Sequence, residues 1–541
     1  MTRTRYLLAG LGLILIGGLV GKWTHKPEPT DAQSKGVQTL RSAYETIRTS
    51  YVEPLSADSL VRASISGMTE SLDPFSVYIS ADRMTQVKES FRGSFEGIGI
   101  SYELIDGPRN KDTIAVVSVV EEGPSAEAGL RAGDRIVEVN DTSAVGWPHE
   151  KIQRRLKGPQ GSRVNVTLRR PGADAPVQTT ITRDTVPLET VPATYMIEDR
   201  TGYIRLERFA EPTHREVTDA LDRLEDEGME RLVLDLRGNS GGLMSMAEKV
   251  ADAFLVDDQL IVEARSRHEG YGGARYATTE GRFERKPVIV LVDERSASAS
   301  EIVAGALQDH DRALIMGRRT FGKGLIQRQF GLGDGSTLRL TVARFYTPSG
   351  RLLQRPHGQD RDSLSTTDRD PSEVVDSLVH RTDAGRPVIG GGGIQPDRVV
   401  TAPDRSPYWT AVSSADLLRS FARQWTDARA DSLRRRWGGR EEAFVYDFAL
   451  PDSTYDAFVQ AAAARGVSEA DSTGGSASDF TTAEISAARP AVEATIKAYV
   501  GQRLFGEDMR RRIQNRSDPV VQQALQSWDT ARAWAERYPI K

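Results

Sequence analysis

The sequence predicts an α+β protein of several domains, with helical segments at both ends, a β-rich module and a core in which strands and helices alternate. Three observations support this prediction. The chain has 541 residues, which at roughly 150 residues per domain corresponds to about three to four domains. Its contents of 38% hydrophobic and 27% charged residues are typical of a globular protein. The spacing of apolar residues changes from a helical period to short strands, and then to alternating strands and helices.

The composition excludes several classes of protein. The 71 basic and 76 acidic residues give a formal net charge of −5, so the chain lacks the basic field that holds a nucleic-acid backbone. There is no cysteine, which excludes disulfides, a thiol nucleophile and cysteine-ligated metal clusters. The 7 histidines are scattered along the chain. We therefore expect no nucleic-acid partner, no metal and no other cofactor.

Residues 1–30 predict a membrane anchor or signal segment with a linker. Arg3 and Arg5 precede an uncharged apolar run from Leu7 to Gly21, which with its flanking residues approaches the length that spans one bilayer core. The run ends without a good small-x-small cleavage site, so we favour an uncleaved anchor over a cleaved signal peptide. In both cases the basic residues stay inside and the rest is exported. A buried core helix fits less well, because a Pro-Glu-Pro linker follows the run.

Four further regions follow from the residue pattern. Residues 31–93 show the apolar spacing of helices. Residues 94–185 contain short strands separated by glycine-rich turns, with one short helix at His149–Leu156. Strands and helices alternate over residues 186–400, and residues 401–541 form a C-terminal helical extension.

Two strand–loop–helix units lie in the alternating region. Leu232–Leu236 has the apolar run of a buried strand and leads into the loop Arg237–Gly242. Val288–Val292 is a second such strand, followed by a serine-rich turn and a helix. Active sites gather at the carboxyl ends of parallel strands. Both loops should therefore face one cleft.

The serine-rich turn, Ser296–Glu301, allows two interpretations. A hydroxyl at a helix N-terminus, such as that of Ser298, lies where backbone amides and the helix dipole favour developing negative charge, which suits a nucleophile beside an oxyanion hole. Ser298 and Glu301 also match an S-x-x-E capping box, and most such strings only cap helices. The turn alone leaves both interpretations open.

A catalytic serine needs a base, and two candidates lie downstream. Lys323 stands between two glycines, and Gln327 follows four residues later on the same face of a predicted strand, where it could orient the amine. Desolvation lowers a lysine pKa and allows the neutral amine to take the serine proton. His310, beside Asp309, is the rival base. We favour the lysine, because a histidine at a helix end is more often solvated or capping.

The lysine segment also resembles a phosphate-binding loop. Residues 317–323 match the first seven positions of G-x-x-x-x-G-K-[ST]. Gly324, however, stands where a serine or threonine must bind magnesium, and residues 325–330 predict a strand where that motif needs a helix. We therefore do not expect nucleotide binding.

Several unusual strings, between about Val37 and Val400, resemble those of the C-terminal processing peptidases, also called tail-specific proteases. The resemblance implies a serine endopeptidase that forms an acyl-enzyme by a Ser–Lys mechanism, with an α/β core similar to the crotonase-like fold. The strings are LDLRGNSGG, SASASE, DRALIMGRRTFGKGLIQ, RFYTPSGRLLQ and GGIQPD.

The same resemblance implies roles for individual residues. Ser298 would be the nucleophile, Lys323 the general base and Gln327 the residue that orients the lysine. Asp309 matches a position that some members assign to a relay. The oxyanion donors would be the amide of Ala299 and that of Gly241 or Gly242.

Residues 94–185 resemble a PDZ domain. Phe95–Ile100 would be its carboxylate-binding loop and edge strand, and Gly123–Asp134 is its most recognisable string. Such a module binds a terminal carboxylate with converging amides and pairs the peptide with the edge strand. The alternative is a small β-domain whose G-x-G is only a turn. The residues expected to bind a tail are Gly97, Ile98, Gly99, Ile100, Ile152 and Leu156.

From the N-terminal segment we expect the protein in the bacterial cell envelope, anchored in the inner membrane with its catalytic part in the periplasm, or exported after signal cleavage. The expected partners are protein or peptide C-terminal tails, as substrates, and the membrane through the single N-terminal segment. A homo-oligomer or an activating adaptor stays open. The competing function is a non-catalytic PDZ scaffold that binds tails without cleaving them.

Overall fold

The computed structural model describes residues 31–106, 112–278, 281, 283–356, 378–401, 406–469 and 479–538. The chain forms two compact units, Met1–Tyr78 and Ile79–Lys541. The predicted membrane segment, residues 1–30, lies outside the described residues. Within the described ranges, no helix combines the length and the apolar character that crossing a membrane requires.

The first unit is helical, as the sequence predicts. It contains helices α1 (Asp31–Ser50) and α2 (Ala57–Glu70). After α2, the Asp73 carboxylate accepts hydrogen bonds from Ser76 Oγ at 2.7 Å and from Phe75 N at 2.9 Å. These bonds close the turn that follows the helix. A short strand, β1 (Val77–Ile79), lies at the boundary of the two units.

The β-rich module follows helix α3 (Ala81–Arg92). Its elements are β2 (Ser94–Gly97), β3 (Ile100–Asp106), β4 (Asp112–Val119), α4 (Pro124–Glu127), β5 (Arg135–Val139), β6 (Thr142–Ser143), α5 (His149–Leu156), β7 (Arg163–Arg169), β8 (Val177–Thr182) and β9 (Asp184–Pro187). The main sheet is antiparallel in the order β3-β4-β5-β7-β8, with β6 paired to β5. Strands β2 and β9 pair separately, where the chain enters and leaves the module. In this sheet β3 is an edge strand, and the predicted short helix is α5.

The core of the second unit contains a six-stranded sheet. Its strands are β10 (Ala193–Glu198), β11 (Thr201–Arg205), β12 (Arg231–Asp235), β15 (Val288–Val292), β16 (Leu314–Gly317) and β21 (Arg398–Val399), in that spatial order. All neighbours are parallel except β10 and β11. The predicted parallel pairing of the two strand–loop–helix units is therefore confirmed, since β12 pairs with β15.

Helices cover both faces of this sheet. Helices α6 (Thr213–Asp226), α7 (Met244–Asp252) and α8 (Ala299–Asp309) pack on the face that includes Leu232 and Leu234. The side chain of Val233, between them, joins a second apolar cluster on the opposite face. Burial on both faces is the reason that these strands are continuously apolar.

A second, antiparallel sheet carries the lysine segment. Strands β13 (Leu260–Arg265), β14 (Gly273–Tyr276), β17 (Leu325–Gly331) and β18 (Thr337–Tyr346) pair in the order β14-β13-β18-β17. Lys323 precedes β17 and Gln327 lies within it, as the strand prediction requires. Two short strands, β19 (Val379–Arg381) and β20 (Pro387–Ile389), form a hairpin-like pair.

The C-terminal extension is mainly helical, as predicted. Its elements are α9 (Pro407–Ser414), α10 (Leu417–Asp427), α11 (Ala430–Trp437), α12 (Glu441–Asp447), α13 (Asp452–Ala463), β22 (Ser468–Glu469), β23 (Asp479–Phe480), α14 (Thr482–Phe505), α15 (Glu507–Asn515), α16 (Pro519–Leu525) and α17 (Trp528–Arg537). Helices α9 to α15 enclose an apolar core of their own. Helices α16 and α17 instead pack on the six-stranded sheet, in the cluster that contains Val233.

Candidate active site

Ser298 lies at the N-terminus of α8, directly after the loop that follows β15. Its backbone has φ 55° and ψ −111°, a conformation that residues other than glycine rarely adopt. Such strain persists only where the surroundings hold it, and it is common at active sites. The side chain is half-buried, so the hydroxyl stays within reach of a ligand.

One buried carboxylate links the serine segment to the lysine segment. Glu301 Oε2 accepts hydrogen bonds from the backbone N–H of Ser298 at 2.8 Å and of Lys323 at 2.9 Å. Glu301 Oε1 accepts from Thr320 Oγ1 at 2.6 Å and from the Gly322 N–H at 2.7 Å. The capping-box interpretation of Glu301 is thus only part of its role, because the same carboxylate also holds a chain segment that begins 19 residues later.

The Glu301 network suits an ionised carboxylate. Burial raises the pKa of the Glu301 carboxyl, while the hydrogen bonds from Thr320, Lys323, Ser298 and Gly322 oppose that rise. Thr320 Oγ1 itself accepts a hydrogen bond from the N–H of Ile394 at 2.6 Å, so its own proton points to Glu301. All four groups are therefore donors, and only the ionised form offers an acceptor to each of them.

The structure brings Lys323 and Gln327 into direct contact. Lys323 Nζ donates to Gln327 Oε1 at 3.0 Å. The amine is half-buried, and its backbone is held by Glu301. This geometry is the one expected of a glutamine that orients a lysine.

Asn239 joins the glycine loop to the serine loop; it lies within the string LDLRGNSGG, but no role for it followed from the sequence. Its side chain is fully buried; Nδ2 donates to Leu206 O at 3.0 Å and Oδ1 accepts from the Gly241 N–H at 2.9 Å. Its carbonyl oxygen accepts from Ala297 N at 3.0 Å and from Ser300 Oγ at 2.9 Å. The loops after β12 and β15 therefore meet at one cleft, as the parallel-strand argument predicts.

The two glycines of this loop approach their neighbours too closely for any side chain. A Cβ on Gly241 would lie 2.9 Å from Ser298 Cβ and 3.0 Å from Ala299 N, and a Cβ on Gly242 would lie 2.0 Å from Phe209 O. Both have positive φ, 100° and 149°. The Gly241 amide donates to Asn239. Among the described residues, no acceptor lies within hydrogen-bonding reach of the Gly242 or Ala299 amide.

Asp309 lies at the opposite end of α8 from Ser298. Ten residues of helix separate the two by about 15 Å. Its Oδ1 is 2.6 Å from Arg351 Nη2, and its Oδ2 accepts from the Ser349 N–H at 3.0 Å. Both side chains of this ion pair are buried. The structure therefore does not place Asp309 with the serine and the lysine, and its contacts do not support the relay role.

His310, the rival base, also lies at this far end. Its Nδ1 is 2.7 Å from Asp383 Oδ2 and its Nε2 is 2.8 Å from Leu260 O. Burial lowers the pKa of His310, but the bonds with Asp383 and Leu260 outweigh it, so the pKa lies above its ordinary value. Both ring nitrogens are occupied far from Ser298, in agreement with the preference for lysine.

The predicted tail-binding residues divide into two groups. Ile98, Ile152 and Leu156 are buried in the apolar core of the β-rich module, so their contact with a tail stays a prediction. Ile100 is half-buried at the start of edge strand β3. Gly97 is the last residue of β2, and Gly99 lies between β2 and β3 with φ 71°, a backbone conformation that suits a loop of converging amides.

Comparison with known proteins identifies the domains. Peptidase family S41 matches residues 200–362, and the PDZ domain family matches residues 86–169. A family described as the activating protease CtpB N-terminal domain matches residues 20–83. A family of unknown function, DUF8443, matches residues 408–506. The chain is thus an S41 peptidase with a PDZ domain and additional C-terminal helices.

Individual relatives are similar over more than half of the chain. The carboxy-terminal-processing protease of Bartonella bacilliformis is 38% identical over 315 residues, which are 58% of this chain and 71% of that protein. Carboxy-terminal processing protease CtpA of Bacillus subtilis is 36% identical over 58% of this chain and 66% of its own length. A solved photosystem II D1 C-terminal processing protease is 29% identical, with a TM-score of 0.36, over 67% of this chain and 86% of that one. The protein belongs to the carboxy-terminal processing protease family.

Proposed function

We propose that this peptidase is an exported serine endopeptidase that recognises protein C-terminal tails with its PDZ domain and cleaves by a Ser–Lys mechanism. The observation that supports this best is the Glu301 carboxylate, which accepts hydrogen bonds from the backbones of both Ser298 and Lys323. One buried group thus holds the segments that carry the nucleophile and the base. The contact of Lys323 Nζ with Gln327 adds the orientation of the amine.

In the acylation step, neutral Lys323 takes the proton of Ser298 Oγ as the oxygen attacks the substrate carbonyl carbon. The carbonyl oxygen becomes an oxyanion, which the amides of Ala299 and Gly242 stabilise. We prefer Gly242 to Gly241 as the second donor, because the Gly241 amide already donates to Asn239. The C–N bond then breaks, the leaving amine receives the proton from Lys323, and an acyl-enzyme remains.

In the deacylation step, Lys323 takes a proton from water, and the resulting hydroxide equivalent attacks the ester carbonyl. Collapse of the second oxyanion breaks the bond to Ser298 Oγ, which recovers the proton from Lys323. Because the amine works in its neutral form, we expect kcat/KM to rise with pH until the lysine is deprotonated. A pH–rate profile with its maximum under acidic conditions would contradict this role.

The PDZ domain would position the tail. Strand β3 pairs on one side with β4 and is the edge of its sheet, so it can add an extended peptide as a further strand. Residues 97–99, from the end of β2 to the start of β3, would receive the terminal carboxylate. We place the catalytic part on the periplasmic side of a bacterial inner membrane, which protease digestion of intact spheroplasts would test.

The central experiment follows the masses of products from an unfolded reporter protein that ends in an apolar or a charged tail. The parent protein should cleave the reporter, and faster with the apolar tail. Ser298→Ala should reduce kcat by at least about 10⁴-fold, because it removes the nucleophile. Ser414→Ala makes the same change at an exposed helical position and should keep full activity.

Three other results of the reporter experiment would contradict parts of the proposal. Equal cleavage by the parent and by Ser298→Ala would refute the assignment of the nucleophile. Binding of the tail by both proteins, with no cleavage and no acyl-enzyme with a serine-reactive probe, would favour the non-catalytic scaffold. Equal rates with both tails would refute tail reading but not the peptidase mechanism.

A further inference from the structure

The C-terminal helical region contacts the PDZ domain through buried charges. Glu103 of β3 has Oε1 2.7 Å from Arg423 Nε of α10, and its Oε2 is 3.7 Å from Arg419 Nε. The side chains of Glu103 and Arg423 are only 12% and 8% exposed. A buried ion pair is screened little by solvent. The contact therefore links the peptide-accepting edge strand to the C-terminal helices.

A second contact lies on another part of the PDZ surface. A Cβ on Gly133 would lie 3.3 Å from Asp427 Oδ1 and 3.4 Å from Arg503 Nη2. Asp427 of α10 and Arg503 of α14 form an ion pair of 2.5 Å. The PDZ backbone thus packs directly on this pair. Two contacts at separate points restrict rotation of the domain more than one contact would.

The same helical region is anchored to the sheet that carries the catalytic loops. Asn515 of α15 donates to Tyr195 OH at 2.7 Å, in a buried position next to β11. Asp518, which caps α16, lies 2.8 Å from Nη1 of Arg237, the first residue of the glycine loop. Behind these bonds, the apolar side chains of α16 and α17 cover one face of the sheet.

We propose that the described C-terminal residues, 406–469 and 479–538, act as a brace that holds the PDZ domain in one position against the peptidase core. Helix α14 carries Arg503 at its PDZ end and leads directly into α15, which contacts the sheet. A tail docked on β3 would then be held at a set distance from Ser298. The effect on cleavage rests on the proposed function, whereas the effect on domain position does not.

A substitution of Glu103 tests the brace best, because its partner Arg423 is surrounded by other charges. Burial lowers the pKa of Arg423, and the charges of Arg503 and of Arg135 in the PDZ domain lower it further, while Glu103 and Asp427 stabilise the charged guanidinium. A neutral side chain at position 103 would leave the positive charges of Arg423 and Arg135 with less compensation. Like charges across an interface repel, so the brace should release the PDZ domain.

The chain contains no cysteine, so spin labels can be placed on two introduced cysteines. Ser143→Cys on the PDZ domain and Glu198→Cys on the core lie at exposed positions, and the full chain would carry Ser298→Ala. Pulsed electron paramagnetic resonance should show one narrow distribution of distances between the labels at positions 143 and 198 in this protein. Adding Glu103→Gln should at least double its width.

Two further variants control this measurement. Glu127→Gln changes an exposed PDZ glutamate that has no ion pair among the described residues, and it should leave the width unchanged. The pair Glu103→Gln with Arg423→Gln replaces both charges by amides and should restore a narrow distribution, because the buried charge of Arg423 is removed together with its partner. An unchanged width in Glu103→Gln alone, with the chain folded, would overturn the brace.

Kinetics with Ser298 present supply the second measurement. For a tailed reporter, Glu103→Gln should raise KM about tenfold and change kcat less than about twofold, because positioning is lost and the chemistry is not. Cleavage of a reporter with an amidated C-terminus should not change. Equal KM values for parent and variant would overturn the link to tail delivery. If neither protein cleaves, the proposed function fails, and the distance measurement still decides the brace.

Discussion

The two ends of helix α8 use buried carboxylates for different purposes. At the N-terminal end, Glu301 accepts hydrogen bonds from three backbone amides and one hydroxyl. At the C-terminal end, Asp309 forms a buried ion pair with Arg351. The first carboxylate holds backbone segments in a strained arrangement beside Ser298, and the second compensates a buried charge.

This difference shows that residues close together in the sequence need not belong to the same functional site. Ser298, Glu301, Asp309 and His310 lie within one short helical segment, and all four are residue types that enzymes use. The helix, however, separates its ends by about 15 Å, so only the first two lie at the cleft. We expect changes at the N-terminal end to affect activity most, and changes at the C-terminal end to affect stability.

Among changes to the titratable groups of this helical segment, Glu301→Gln should have the largest effect. A glutamine amide nitrogen would face N–H groups that now donate to a carboxylate, and each unsatisfied buried donor costs about 1–3 kcal/mol. We expect kcat/KM to fall about 100-fold, because the Ser298 and Lys323 backbones shift. The free energy of unfolding should fall by about 2–4 kcal/mol. Steady-state kinetics and urea unfolding measure the two effects.

The matched control is Glu227→Gln, which changes an exposed glutamate at the end of α6. It should alter the free energy of unfolding by less than about 0.5 kcal/mol and leave kcat/KM unchanged. If Glu301→Gln keeps full activity, the carboxylate does not position the catalytic segments.

An intermediate effect, confined to stability, is expected from Asp309→Asn. The change leaves the Arg351 guanidinium buried without a carboxylate, and we expect the free energy of unfolding to fall by about 3 kcal/mol. Below the unfolding transition, kcat should stay within about threefold of the parent value, since the pair is remote from Ser298. A loss of kcat above about 100-fold with normal stability would instead restore the relay role.

The smallest effect should come from the titration of His310. Its pKa in the folded protein is raised above the unfolded value of about 6.5, so its charged form is the one that folding favours. The resulting stability is fully present below about pH 6.5 and is lost as the pH rises through the folded pKa. Parent and His310→Gln should therefore differ more in urea unfolding at pH 6 than at pH 8. A larger difference at pH 8 would reverse the sign of this assignment.

Much of the active site could be predicted from local sequence. Ser298 at a helix N-terminus after a buried strand, and Lys323 four residues before Gln327, follow from patterns that span a few residues each. The structure places the lysine and glutamine in contact at 3.0 Å. The loops after β12 and β15 meet because parallel strands share one carboxyl edge.

The sequence by itself determined most helices and strands, the β-rich module and the residues at the ends of the catalytic strands, because periodicity and turn chemistry act over short distances. The PDZ assignment of that module came from its resemblance to a known family. Only the tertiary structure decided the partners of the buried polar groups. Glu301 binds residues 320–323, Asn239 bridges two loops, and Glu103 meets Arg423 across more than 300 residues of chain. Such pairs depend on how separate elements pack, and a buried polar group takes whichever partner that packing brings within reach.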